Sequence, residues 1–227
     1  MNKLMDPTML ELKMIKAEIQ KFVEDIFQPN SEHMKNYFIN ICKKIVLTKY
    51  LIRYLPEDHR YKSLQSDLCY LLNSIENGEI RYYYLNVRSI IEQGMRIVAD
   101  VKDTSTMTNF VLMEKVVEIK NSLNQNHLIN IGVIQDEYSK SCLYVHGNSN
   151  AQIELADYYI NAFHQSKVIS GLDTKLSQLI SLLKSIFNLL LMNQAGIIDG
   201  AFHRRKSILR YLVSDNRVVD YIIAKNE

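Results

Sequence analysis

Three side chains that take part in acid–base and nucleophilic chemistry stand four residues apart in the second half of the chain. They are the phenol of Tyr138, the thiol of Cys142 and the imidazole of His146. If this segment is helical, the three share one face and span about 12 Å at a rise of roughly 1.5 Å per residue. The spacing indicates either a reactive surface or an ordinary packed stripe with polar tips.

A second pair, Arg88 and Glu92, stands at positions i and i+4 of a long amphipathic segment. Its simplest interpretation is an exposed ion pair that stabilises the helix by a few tenths of a kcal/mol. The alternative is that the two helices are neighbours, so that Arg88, Glu92 and His146 meet in a cleft beside Tyr138. The arginine would then hold a phosphate or carboxylate, and the histidine would transfer a proton near neutral pH. A histidine in a last helical turn is also favoured by the helix dipole alone.

A third group is cationic and lies near the C-terminus. Arg204, Arg205 and Lys206 follow one another after His203, and Arg210 stands one turn further on. Clustered cations of this kind contact the phosphates of RNA, but they are equally typical of the solvated side of a short surface helix. We keep both interpretations for these four residues.

Composition limits the other classes of protein. The net charge of +2 over 227 residues does not demand a nucleic acid. Three widely spaced cysteines form no pair with zinc-ligand spacing, and no glycine-rich phosphate loop is present. We therefore expect no metal and no cofactor, and a cytoplasmic protein with reduced thiols. No run of apolar residues predicts a membrane-spanning helix, and the segment 172–192 is predicted to be a buried core helix.

The elements that must position these residues are predicted to be helices throughout. Asp6 and Pro7 suit the start of a first helix, whose apolar stripe is predicted to comprise Leu12, Ile15, Ile19, Phe22 and Ile26. A stripe in the second helix is predicted to include Phe38, Ile41, Ile45 and Leu51, and only the stretch 128–134 is ambiguous between helix and strand.

The predicted fold class is all-α, an antiparallel bundle of about eight or nine helices. Residues 1–195 are predicted to form one bundle domain and residues 196–227 a C-terminal helical appendage.

The stripe of the fourth helix is the most regular in the chain. Apolar or small residues recur every three or four positions between Glu79 and Val101, and charged residues occupy the opposite side. The apolar side comprises Tyr83, Val87, Ile90, Gly94, Ile97 and Val101. This helix is therefore predicted to pack closely in the bundle and to carry Arg88 and Glu92 on its polar side.

A family resemblance is carried by Arg88-Ser-Ile-Ile-Glu92 on one helix, followed by Tyr138, Cys142 and Val145-His146-Gly147 on another. This pattern resembles bacterial HEPN-like helical proteins over about residues 79–163. The resemblance implies a helical bundle that often dimerises, and in active members metal-independent RNA cleavage, in phage-defence or toxin–antitoxin systems. Active members carry an arginine and a histidine separated by four to six residues. Neither Arg88 nor His146 has such a partner, and Arg53 and His59 match the spacing only across Pro56.

Three hypotheses follow. In the first, the protein is a ribonuclease in which His146 acts as acid or base, Arg88 holds phosphate, and Glu92 and Tyr138 orient them. In the second, it is a non-catalytic helical module that recognises a nucleotide, an RNA or a protein partner, or forms a homodimer. A thiol enzyme based on Cys142 is the least favoured, because the C-terminal end of a helix disfavours a thiolate.

Overall fold

The described part of the chain consists of α-helices and one 3₁₀-helix, Asn126–Leu128, joined by turns and short loops. A computed structural model describes residues 6–101, 106–146 and 169–226, except for the side chain of His146. These ranges contain no strand, so the all-α class is confirmed for them, and the ambiguous stretch 128–134 is helical from Ile131. The ten α-helices within them are α1 (Pro7–Phe27), α2 (Glu32–Tyr54), α3 (His59–Glu76), α4 (Ile80–Val98), α5 (Asn109–Ser122), α6 (Ile131–His146), α7 (Leu172–Asn193), α8 (Ala195–Ala201), α9 (Lys206–Val213) and α10 (Asn216–Ala224). The predicted number of eight or nine is therefore too low.

Helix α4 is in contact with four other helices of the bundle. It packs on α3, α5, α6 and α7, and the whole predicted apolar stripe from Tyr83 to Val101 is buried. The two connections on either side of α3 are short, which makes α2, α3 and α4 antiparallel neighbours. Helix α4 therefore presents its remaining polar side chains to other helices as well as to solvent.

Helix α7 packs against both α2 and α4. Every residue from Ser185 to Met192 is buried, which confirms the predicted core helix. It is the one described helix whose length and composition would also allow it to cross a membrane. Because 67% of that apolar window is buried inside the protein, α7 behaves as the core helix of a globular bundle.

Helix α1 begins as predicted, since the Asp6 side chain accepts a hydrogen bond from the Thr8 amide at 3.0 Å. Its buried stripe is Leu12, Ile15, Ile19 and Val23. The predicted continuation through Phe22 and Ile26 is wrong, because these side chains are 43% and 42% exposed. The dimer or protein partner expected from the sequence stays a prediction.

The C-terminal helices share the apolar core of the rest of the protein. Helix α9 packs on α1 and α2, and α10 packs on α7, α8 and α9. The buried side chains of Ile208, Leu212 and Ile222 belong to the same continuous cluster as those of α2 and α7. Residues 196–224 therefore close one end of the bundle, and a folding boundary after residue 195 stays a prediction.

Gly94 of α4 packs tightly against Ile186 of α7, and this contact generates a prediction about stability. A Cβ atom on Gly94 would lie 2.6 Å from Cγ2 of the buried Ile186. In Gly94→Ala the overlap should outweigh the gain of about 1 kcal/mol in helix propensity. We expect a net loss of about 1–3 kcal/mol, as for other overpacked cores, measured by urea unfolding.

Gly196→Ala is the matched control, because its Cβ would meet only the Oδ1 atom of Asn226, at 3.6 Å. This variant should be as stable as the unsubstituted protein or slightly more so. Equal stability of the two alanine variants would contradict the close packing of α4 on α7.

Candidate functional site

Four polar side chains from three helices meet beside α4. The Arg88 Nε donates to Glu92 Oε1 at 2.8 Å. The same oxygen accepts hydrogen bonds from the Asn109 amide at 2.8 Å and from the Tyr138 hydroxyl at 3.2 Å. The Asn109 amide also donates to the Tyr138 oxygen at 2.9 Å. We call these four residues the α4–α6 polar cluster; the sequence predicted three of them and missed Asn109, the first residue of α5.

Burial and hydrogen bonding shift the pKa values of Tyr138 and Arg88 in this cluster. Burial and the neighbouring Glu92 charge raise the pKa of Tyr138 to about 12, so its hydroxyl remains a hydrogen-bond donor at neutral pH. The hydrogen bond to Glu92 raises the pKa of Arg88. The arginine and glutamate side chains are only 22% and 24% exposed. The pair is thus more enclosed than the exposed ion pair of the simplest interpretation.

The register of α4 against α6 determines how His146 relates to this cluster. Arg81, at the start of α4, donates to the carbonyl oxygen of Val145 at 3.4 Å. Arg81 lies two turns, roughly 10 Å, from Arg88 along α4. The helical position of His146 is therefore level with Arg81, whereas Tyr138 is level with Arg88 and Glu92. The side chain of His146 lies outside the described residues, so its predicted catalytic role stays a prediction.

Three of the four cations predicted to bind RNA are engaged by carboxylates of the protein itself. Arg205 pairs with Glu11 at 3.0 Å, Lys206 pairs with Asp199, and Arg210 pairs with Asp220 at 2.7 Å. The backbone oxygen of Arg204 accepts a hydrogen bond from Thr8. These contacts give the cations a role in holding α8, α9 and α10 in place and reduce the positive charge available to RNA.

A cavity that the sequence analysis did not predict lies where α2, α7 and the turn between α9 and α10 meet. Its volume is about 450 Å³. Ile180, Leu183 and Val213 provide apolar walls, and polar groups are supplied by Asn40, Lys44, Lys184, Asp215, Asn216 and Arg217. Three of these polar residues are cations and one is a carboxylate. We call this feature the Lys44 cavity.

Lys44 is the most deeply placed of the three cations. It is 6% exposed, and its Nζ is 3.4 Å from the carbonyl oxygens of both Leu212 and Val213, at the C-terminal end of α9. Within the described residues no carboxylate forms an ion pair with it. Burial, followed by the charges of Lys43 and Lys184, lowers the pKa of Lys44 to about 7. The amine is therefore partly neutral under physiological conditions.

Asp215 organises the mouth of the cavity. It begins α10 and accepts hydrogen bonds from Nε and Nη2 of Arg217 at 3.0 and 2.9 Å. The Lys184 Nζ lies 3.3 Å from the same carboxylate. The hydrogen bond from Arg217, together with Lys184, lowers the pKa of Asp215 to about 2. A permanently ionised carboxylate thus holds two cations whose side chains remain 54% and 62% exposed.

The sequence contained a signal for this cavity. The buried residues of α2 include Ile41, Lys44, Thr48 and Leu51, which are spaced as one apolar stripe. The predicted stripe placed Ile45 in the core, whereas Ile45 is only partly buried and Lys44 takes the core position. A lone lysine in register with core residues is a signal for a buried amine.

The described residues contain no group of three His, Cys, Asp or Glu side chains that could hold a metal ion.

The α4–α6 polar cluster generates a prediction about stability. Tyr138→Phe removes a hydroxyl that links Asn109 to Glu92, and we expect a loss of about 1 kcal/mol in the free energy of unfolding. Tyr82→Phe is the control, because Tyr82 is also in this region of the bundle but 57% exposed. It should change stability by less than about half that amount. Equal losses in urea unfolding would contradict a specific role for the cluster.

Comparison with known proteins adds little to this geometry. No protein-family model matches the chain, and no solved structure matches it. The chain is similar to an uncharacterised protein of Caenorhabditis elegans, with 26% identity over 230 residues. The alignment covers 96% of this chain and 25% of the relative, so the chain spans about a quarter of that protein's length. The relative's name states no activity, so function has to be argued from the sites themselves.

Proposed function

We propose that this protein is a helical binding module that takes up a small anionic ligand in the Lys44 cavity. The observation that carries the proposal is the grouping of Lys44, Lys184 and Arg217 around one cavity that holds a single carboxylate. Among the described sites, this partly open cavity is the one that combines apolar walls with converging polar groups, which are usual features of ligand pockets.

The charges of the cavity favour a phosphate or carboxylate group. Asp215 is already occupied by Arg217 and Lys184, so it orients these cations and leaves further donor positions for a ligand. The backbone at the start of α10 adds the positive end of a helix dipole on the same side. Binding of an anion would also compensate the buried charge of Lys44, which has no carboxylate partner in the described part of the chain.

A titration of the full chain with inorganic phosphate and, separately, with glycolate tests this proposal. Backbone amide NMR signals of Asn216 and Arg217 should shift in a saturable manner at low ionic strength. Arg217→Gln should weaken binding about tenfold or more, since a charge-assisted hydrogen bond contributes roughly 1.5–3 kcal/mol. The two anions distinguish a phosphate site from a carboxylate site.

Lys62→Gln on α3 is the control, because it removes the same charge from an exposed residue that does not line the cavity. It should leave the affinity for either anion unchanged. Shifts that do not saturate, or an equal loss of affinity in Lys62→Gln and Arg217→Gln, would show general surface attraction and refute the proposal.

A second candidate function is metal-independent RNA cleavage by a HEPN-like site, as the sequence resemblance implies. The convergence of Arg88, Glu92 and Tyr138 favours it, because these residues from α4 and α6 meet through hydrogen bonds. In this candidate Arg88 contacts phosphate and His146 moves the proton. Because the end of α6 is level with Arg81, Arg81 joins the residues that would contact RNA.

Cleavage of a structured RNA in the presence of EDTA tests the second candidate. Activity should fall at least about a hundredfold in His146→Ala, the usual range for loss of a general acid or base, and should also fall in Arg88→Ala and Arg81→Ala. Tyr82→Phe serves as the folded control. Undiminished cleavage by the histidine and arginine variants would remove this site from consideration.

A further inference from the structure

The Lys44 cavity has a gradient of exposure from its inner end to its mouth. Lys44 is 6% exposed, whereas the Lys184 and Arg217 side chains at the mouth are 54% and 62% exposed. Apolar side chains of Ile180 and Leu183 line the space with them. A ligand whose anionic group is held at the mouth would therefore direct its other end toward the amine of Lys44.

We propose that Lys44 is a nucleophile that forms a reversible imine with an aldehyde or ketone carrying a carboxylate or phosphate group. This inference rests on the proposed anion binding in the same cavity and specifies the ligand class. The carbonyl carbon accepts the nitrogen lone pair, the resulting carbinolamine loses water, and a C=N bond replaces the C=O bond. No oxidant, reductant or further reactant is required, because the imine and water account for all atoms of the two partners.

The surroundings of Lys44 suit this chemistry. A lysine becomes nucleophilic when burial or a neighbouring cation favours the neutral amine. The charges that act on Lys44 are those of Lys43 on its own helix, Lys184 on α7 and Asp215 at the start of α10, so two cations oppose one carboxylate. Burial and the neighbouring cations therefore favour the neutral, nucleophilic amine at Lys44 more than at an exposed lysine.

The structural contacts of Lys44 do not occupy all of its donor positions. An ammonium carries three N–H donors, and the Leu212 and Val213 carbonyl oxygens lie at 3.4 Å, longer than the usual distance for such bonds. These contacts position the nitrogen at the C-terminal end of α9, where the carbonyl dipoles stabilise a positive charge. An imine nitrogen, which is protonated during formation and hydrolysis, benefits from the same dipoles.

Reductive trapping tests the inference on the full chain. Glyoxylate, which carries an aldehyde and a carboxylate, is added with cyanoborohydride at pH 7, and the modified residue is mapped by peptide mass spectrometry. We expect Lys44 to be the main site, with one carboxymethyl group per chain, and the modification at that position to disappear in Lys44→Met. Lys62→Met should leave Lys44 trapping unchanged. Preferential trapping of Lys44 should also diminish above about pH 9, because exposed lysines then react as well.

Arg217→Gln keeps the amine and does not depend on whether Lys44→Met folds. It should slow trapping of glyoxylate about tenfold while changing trapping of acetaldehyde, which has no charge, by much less. Pyridoxal 5′-phosphate in place of glyoxylate distinguishes a phosphate-bearing carbonyl compound from a carboxylate-bearing one. Equal trapping of glyoxylate and acetaldehyde at Lys44 in both proteins would refute the anionic ligand class.

Glycolate has the same carboxylate as glyoxylate but no carbonyl carbon to attack, so it separates the two proposals. Saturable glycolate binding combined with glyoxylate labels spread over exposed lysines would refute the imine and leave the anion-binding function standing. Absence of phosphate binding, glycolate binding and Lys44 trapping together would refute both proposals.

Discussion

The enclosure of α4 by four other helices is the constraint on which the rest of this structure depends. Gly94 allows α4 to approach α7 until a single methyl group of Ile186 occupies the space of a missing side chain. At this distance the polar side chains of α4 are partly shielded from water and have to find partners within the protein. Glu92 finds Arg88, Asn109 and Tyr138, and Ser89 donates to Asp67 at 2.7 Å. The α4–α6 polar cluster is thus a consequence of close packing, whatever chemistry it also performs.

The two sites differ in whether their polar groups find partners within the protein. In the α4–α6 polar cluster one carboxylate oxygen accepts three hydrogen bonds, and the donors are supplied by the protein itself. In the Lys44 cavity the buried cation has two long contacts to carbonyl oxygens and lies 5.5 Å from the centre of the Phe187 ring, while the nearby Asp215 is committed to Arg217 and Lys184. A buried ammonium without a counter-ion is costly, and this is why the cavity is the stronger candidate for a site that is completed by a ligand.

Much of the fold followed from sequence, because helix stripes and caps are local properties. The Asp6 cap and the core stripe of α4 needed no knowledge of neighbouring helices. The Arg88–Glu92 pair was also predictable, since positions i and i+4 are adjacent on any helix. Contacts between helices were harder to predict. Asn109 stands at the end of a polar linker, and nothing in the sequence indicates its partner. Lys44 and Ile45 stand three and four residues after the buried Ile41, so either could lie on the core side of α2. Because isoleucine is apolar, the sequence favoured Ile45, whereas Lys44 is the buried residue.

The basic residues near the C-terminus show the same limit. Composition predicts a positive patch at Arg204 and Arg205, but it cannot show that Glu11, nearly two hundred residues earlier, reaches the second of them. The Lys44 cavity is likewise assembled from α2 and from α7, α9 and α10, so its donors come together only after the C-terminal helices have packed on the bundle. A ligand that binds only the assembled cavity must favour that packing by mass action. On the proposed function, closure of the core by these helices and binding of the ligand would therefore be thermodynamically linked.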